Sequence, residues 1–218
     1  MSKRPPRQPR QERARATVEA IVEAAFSEVA ERGLQNTTAQ HIADKAGVGI
    51  GSFYEYFPNK EAVFEEIFRR LRDDTVQIIR ELTPAMVKLP VREAIRMMLM
   101  RVGEMLRRED GKYLRCAQHA MRSDIAIDRE PIERELRDLA LQYLLQHPEY
   151  LKTKGNPSIS IYIFIHGGMH AFIHHMNERN PVISFDELID GLANMIGHYL
   201  EREMQMVDTG HARRGNDA

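Results

Sequence analysis

Apolar residues recur along this chain at helical spacing almost from end to end. Val18, Ile21, Val22, Ala25, Phe26 and Val29 fall at i, i+3, i+4 and i+7 and predict a helix over residues 14–31, stopped by Gly33. Val63, Phe64, Ile67, Phe68 and Leu71 predict another, starting behind Asn59 as N-cap and continuing to about Leu82 before Pro84 and Pro90 bracket a break. From Val91 a stripe through Ile95, Met98, Leu99, Val102 and Leu106 ends near Gly111, and a shorter segment covers residues 112–121. Pro131 suits a first helical turn and opens a helix with Ile132, Leu136, Leu139, Ala140 and Tyr143 inward, ended at His147 by Pro148. Residues 157–177 are apolar on two faces, with Ile161, Ile165, Met169, Phe172 and Met176 on one and Ile159, Tyr162, Ile163, His166, His170 and Ile173 on the other. Such a helix is expected to be buried on two sides. The last helix opens with a capping box, Ser184 with Glu187, and carries Phe185, Leu188, Ile189, Leu192, Met195, Ile196, Tyr199 and Leu200. The pattern predicts an all-α fold.

Residues 38–60 break this rhythm with two very short segments. Thr38 is a good N-cap, Ile42, Ala43 and Ala46 share one helical face, and Gly47 supplies the positive φ that ends a helix. Residues 50–57 are too few to be helical alone and need neighbours, as the second helix of a helix-turn-helix does. The run Gly47, Val48, Gly49, Ile50, Gly51 could pass for a phosphate-cradling loop, but that motif follows a β-strand and here a capped helix precedes it. Thr38, Ile42-Ala43, Ala46-Gly47-Val48, Gly51-Ser52-Phe53-Tyr54, Tyr56-Phe57 and Asn59-Lys60-Glu61 together resemble the DNA-binding signature of the tetracycline-repressor (TetR) family. The resemblance covers about the first quarter of the chain. It implies an N-terminal helix-turn-helix followed by a helical body that binds a ligand and dimerises through its last two long helices.

Charge changes this picture in one place. Charged residues are 29% and hydrophobic residues 43% of the 218, with a net charge of −1, which is ordinary for a soluble globular chain. Residues 1–60 hold nine Lys and Arg against seven Asp and Glu, and most of the excess is Lys3, Arg4, Arg7, Arg10, Arg13 and Arg15 facing Glu12. A Pro- and Arg-rich run of this kind reads as a disordered basic arm, and next to a helix-turn-helix it can reach phosphates. The single cysteine, Cys116, excludes an internal disulfide and suits a reducing compartment. No apolar run approaches the ~20 residues that span a bilayer. The N-terminus lacks the apolar core of a signal peptide, so a cytoplasmic location and no membrane partner are expected.

The resemblance places Thr38, Ser52, Tyr56 and Lys60 against phosphates, and their hydroxyls and ammonium are backbone-positioning groups. It places Gln40, Ile50, Gly51 and Tyr54 against bases. Gln40 can pair with adenine and Ile50 can meet a thymine methyl, while Gly51 permits close approach. Gly49 stands where the family usually has a serine, which removes a cap and a phosphate donor.

Two further clusters invite chemistry. His166, His170 and His174 recur every four residues, with His175 adjacent. Two such histidines can hold a transition metal, but three drift around the helix by roughly eighty degrees, and no acidic residue interleaves. They are expected as hydrogen-bonded pocket or seam residues, with no metal and no cofactor. Of twelve methionines, Met97, Met98, Met100 and Met105 gather on one helix. They serve as adaptable core filler or as a wall for an apolar ligand. Met98, Cys116, His119, Tyr162, His166 and Met169 are the candidate ligand-binding set.

The organisation expected is a basic arm over residues 1–12, the helix-turn-helix domain over 13–60, an effector-binding and dimerisation domain over 61–206, and a disordered tail over 207–218. The function expected is that of a homodimeric, ligand-responsive repressor of a palindromic operator, not an enzyme. Its partners would be double-stranded DNA, a second copy and a small-molecule effector. The rival from another class is a metal sensor or metal-dependent enzyme built on residues 157–177.

Overall fold

The computed structural model describes residues 9–121, 128–152, 156–178 and 180–214, and these form eight α-helices and one 3-10 turn with no strand among them. The helices are α1 (Pro9–Arg32), α2 (Ala39–Ala46), α3 (Ile50–Tyr56), α4 (Lys60–Met86), α5 (Val91–Met121), α6 (Glu130–Gln146), α7 (Pro157–Asn177) and α8 (Phe185–Arg214). The 3-10 turn is Pro148–Lys152.

The chain divides into two compact units. One comprises Met1–Leu71 with Leu106–Ile127, the other Arg72–Met105 with Asp128–Ala218, so α4 and α5 each contribute to both. The expected boundary after Lys60 therefore falls later, and the second part of α5 belongs with the N-terminal helices. Within α5 the helical geometry fails at Arg108 (ψ 155°), and Glu109, Asp110 and Gly111 all have positive φ. The helix end expected near Gly111 lies at this break.

In the first unit the α1 stripe is dry: Ile21, Val22, Ala25 and Val29 are fully buried together with Ile42, Ala43, Phe53, Val63 and Ile67. Burial of this apolar surface, roughly 1.5–3 kcal/mol per large side chain, is what holds helices as short as α2 and α3. Gly33 ends α1 at φ 78°, and a Cβ there would sit 3.0 Å from the His119 ring, so this turn needs glycine twice over. Thr37, also fully buried, returns its hydroxyl to the Gly33 carbonyl at 2.8 Å. The Cys116 thiol donates to the Phe26 carbonyl at 3.3 Å, and the Lys112 ammonium is buried between the carboxylates of Glu23 and Glu109.

The second unit packs Ile79, Met86, Val91, Ala94, Leu139 and Tyr143 into one cluster. The Ser184–Glu187 capping box forms in both directions: Ser184 N–H donates to Glu187 at 2.7 Å and Glu187 N–H to the Ser184 hydroxyl at 3.2 Å. Gly103 is required by a close approach, since a Cβ there would lie 2.4 Å from the Phe185 ring.

Three expectations about element bounds are corrected. Helix α1 starts at Pro9, not Ala14, so helix replaces the second part of the arm expected over residues 1–12; residues 1–8 lie outside the described residues. Proline is tolerated in a first turn because its missing N–H is unpaired there in any case. Helix α4 runs past Leu82 through Pro84, and the buried Met86 anchors its last turn in the core. Helix α8 continues beyond Val207 to Arg214, where a tail was expected.

Helix α7 departs from expectation in a way that matters for function. Within this chain only Met176 of α7 is buried, and Ile159, Tyr162 and Ile163 stand 58, 65 and 57% exposed. One apolar face is left in water.

Candidate nucleic-acid interface and ligand cavity

Local chemistry builds the helix-turn-helix. The Thr38 hydroxyl accepts from His41 N–H at 3.1 Å, satisfying one free donor of α2. At the other end Gly47 takes φ 68°, its N–H reaches Asp44 O, and Val48 N–H bonds Ala43 O at 3.0 Å, closing the turn. Helix α3 follows at once from Gly49, which offers no side-chain cap. Phe53 pins α3 with no exposure at all, so the residues around it on the helix face outward. Ile50 is 36%, Tyr54 54% and Tyr56 36% exposed, and a Cβ added at Gly51 would meet open space. Ser52 is half-buried beside them.

The cations of this unit are largely committed to its own structure. Lys60 donates to the Thr37 carbonyl at 2.9 Å and lies over the Phe64 ring. Lys45 reaches Glu31 at 2.7 Å and Glu28 at 3.2 Å, and the Glu31 hydrogen bond holds its ammonium above the usual lysine range. Gln40 donates to Asp44 at 2.7 Å, so reading a base would mean leaving that partner. Thr38, Gln40, Ile50, Gly51, Ser52, Tyr54, Tyr56 and Lys60 thus lie together on α2, α3 and the adjoining starts of helices. Lys60 acts in this structure as a brace on the residue before Thr38.

A cavity of about 210 Å³ lies wholly within the second unit. Its wall is drawn from α4 to α8 and the 3-10 turn, with Met98, Leu139, Tyr143, Phe164, Ile196 and Tyr199 representative. The Tyr143 hydroxyl donates to Leu89 O at 3.0 Å, and Ser160 and Tyr199 share a hydrogen bond of 2.8 Å. Burial, with Tyr150 next to it, pushes the Tyr143 phenol well above its usual range.

Of the six candidate ligand residues, Met98 alone lines this cavity. Cys116 and His119 belong to the other unit, because the break at residues 108–111 turns the second part of α5 toward α1. Tyr162 points to solvent, His166 lies 3.8 Å from Glu133, and Met169 is half-buried outside the wall. Sequence reasoning missed Tyr143, Tyr150, Ser160 and Tyr199 as wall residues. Tyr143 and Tyr199 carried a signal as polar-tipped members of apolar stripes, whereas Ser160 carried none. No group of three or more histidines, cysteines or carboxylates able to hold a metal occurs among the described residues. His170 and His174 stack at 6.1 Å, and His174 pairs with Glu178 at 3.0 Å.

Cys116 is inert by placement. Burial pushes its thiol up to about 12, and the thiolate is the reactive form. The folded protein should therefore resist alkylation by iodoacetamide at pH 8 and react only on unfolding. Because the folded value lies above the unfolded one, the contribution is full below about pH 8.5 and is lost as pH climbs toward 12. Rapid labelling of the native protein would contradict this.

Residues 21–67 match the family model described as bacterial regulatory proteins, tetR family. The N-terminal head of the chain is of the TetR type. Over 62 residues the chain is 42% identical to the HTH-type transcriptional repressor KstR2 of Rhodococcus jostii, a match covering 28% of this chain and 30% of that one. The chain thus spans less than a third of the curated relatives it matches. A TetR-family regulator from Mesorhizobium loti superposes with a TM-score of 0.63 at 19% identity, covering 86% of this chain and 96% of that one. The Thermus thermophilus repressor FadR, in complex with lauroyl-CoA, gives 0.55 at 23% identity over 82% and 92%. At these identities the two structures extend the TetR fold to the body. No helix of the described residues is long and apolar enough to cross a membrane.

Proposed function

We propose that this chain is a transcriptional regulator that binds an operator as a homodimer and is released by a small molecule held in the cavity of its second unit. The reading rests on α3, a seven-residue helix locked by the buried Phe53 so that Ile50, Tyr54 and Tyr56 are presented to solvent. A helix pinned from behind with aromatic and aliphatic side chains in front suits a major groove. Similarity over 62 residues to the KstR2 repressor supports repression.

The second copy is argued from the body. Helix α7 has no Asp, Glu, Lys or Arg from Pro157 to Asn177, and it leaves Ile159, Tyr162 and Ile163 in water, with Met195 of α8 51% exposed. Two long helices doubled about a two-fold axis bury such a surface as a four-helix interface. The heads of the dimer would then read half-sites about one helical turn, ~34–36 Å, apart. The Thermus relative's complex with lauroyl-CoA supports a small-molecule site in the body. Occupation of the cavity would favour a conformation in which the two heads are wrongly spaced.

Selection of bound sequences from a random DNA pool at physiological salt tests this reading. A two-fold-symmetric site is the expected result. No enrichment from folded, dimeric protein, with or without extracts of candidate effectors, would overturn it.

The basic run supplies a second expectation. With Lys45 and Lys60 engaged within the head, Lys3, Arg4 and Arg7 are further cations that could meet phosphates. Removing residues 1–8 should flatten the slope of log K against log salt by up to about three, roughly one for each cation lost from a phosphate. Salt titrations of operator binding measure this. An unchanged slope would show that these residues stay off the DNA.

A further inference from the structure

Among the described residues, the wall of the cavity contains no aspartate, glutamate, lysine, arginine or histidine. Its polar side chains are four hydroxyls, those of Tyr143, Tyr150, Ser160 and Tyr199, set in a surround of aliphatic and aromatic carbon. We propose that the cavity takes an uncharged, largely apolar molecule with a single hydrogen-bonding group, such as an alcohol or a ketone, and rejects carboxylates and amines of the same shape. The inference rests on the reading of this cavity as the effector site, and it names the ligand class.

Desolvation and hydrogen-bonding capacity carry the argument. A carboxylate or ammonium drawn into such a wall would lose its water and gain no opposite charge, so it binds only as its neutral form or stays outside. The hydroxyls cannot stand in for a counter-charge. Tyr143 already gives its proton to Leu89 O, and burial keeps both Tyr143 and Tyr150 protonated. Ser160 and Tyr199 hold each other at 2.8 Å on α7 and α8. What remains is a set of oxygen lone pairs, the Tyr150 proton and the one proton that the Ser160–Tyr199 pair does not use. That set suits one hydroxyl or carbonyl and leaves an ion unanswered.

Gly168 marks where the space lies. It belongs to the wall, and a Cβ built on it meets no atom within 4 Å, so a substitution here starts from open space beside the cavity. Its neighbour Gly167 is exposed on the other side of α7 and is not part of the wall.

The test is calorimetric titration of the full-length protein with 1-decanol, decanoate and decylamine at pH 7, which share one chain and differ only in head group. Decanol should bind at least tenfold tighter than either ion. Gly168→Phe should weaken decanol at least tenfold while thermal unfolding stays cooperative. If that variant does not fold, Ala140→Leu, which narrows the wall from α6, should weaken decanol in the same direction. Equal or tighter binding of decanoate or decylamine would overturn the proposal, as would no binding of decanol to the wild type, or undiminished binding to a folded variant. Because binding is read without DNA, decanol binding that fails to release the operator supports the ligand class and counts against the regulatory reading alone.

Discussion

Phe53→Ala should abolish operator binding and destabilise the N-terminal unit by about 3–5 kcal/mol, the usual cost of truncating a fully buried phenylalanine. The size of the effect follows from where the ring sits. Helix α3 has seven residues and no side-chain cap, so its own backbone cannot keep it folded, and Phe53 is its only fully buried residue. The ring also carries the edge of Tyr54 at 5.3 Å and lies 6.2 Å from Phe57. Removing it loosens the surface that would meet DNA, not merely the core behind it. Thermal denaturation followed by circular dichroism, together with gel-shift assays on the selected operator, would measure both losses. Wild-type affinity in this variant would mean that α3 is held by something other than its packing.

Tyr54→Ala should do the reverse, leaving stability within about 0.5 kcal/mol and weakening the operator complex about tenfold to a hundredfold. Tyr54 is 54% exposed, the highest value among the large apolar and aromatic side chains of α3, so its removal leaves no cavity. Its loss would be felt only when DNA is present. Size-exclusion chromatography should still report the dimer, since the proposed interface lies on α7 and α8. A variant that melts normally and binds the operator as tightly as wild type would remove Tyr54 from the reading surface. The two substitutions sit side by side in sequence and separate folding from recognition.

The head was legible because its signals are local. Thr38, Gly47 and Val48 act within four residues of themselves, and the bonds they make are the ones their chemistry predicts. The same holds for Ser184 with Glu187. Where the reading erred, a distant neighbour had decided the matter. Pro84 looks like a helix end, yet α4 passes through it because Met86 is held in a core built from α5 and α6. Cys116 and His119 look like companions of the methionines on Met98's stripe. Three successive positive φ angles at Glu109, Asp110 and Gly111 separate them, and only Gly111 advertises such a backbone in the sequence.

The amino-acid pattern by itself determined the all-helical class, the place and order of the helices, the TetR-type head and which side chains of α3 stand free, since helical periodicity and capping depend on neighbours three or four residues apart. Only the tertiary structure decided which segments form each compact unit, which face of α7 is left in water, and that the described residues of the cavity wall offer carbon and four hydroxyls. Those features arise from residues dozens of positions apart, brought together by the net of many burial terms. No periodicity along the chain encodes which of two apolar faces finds a partner.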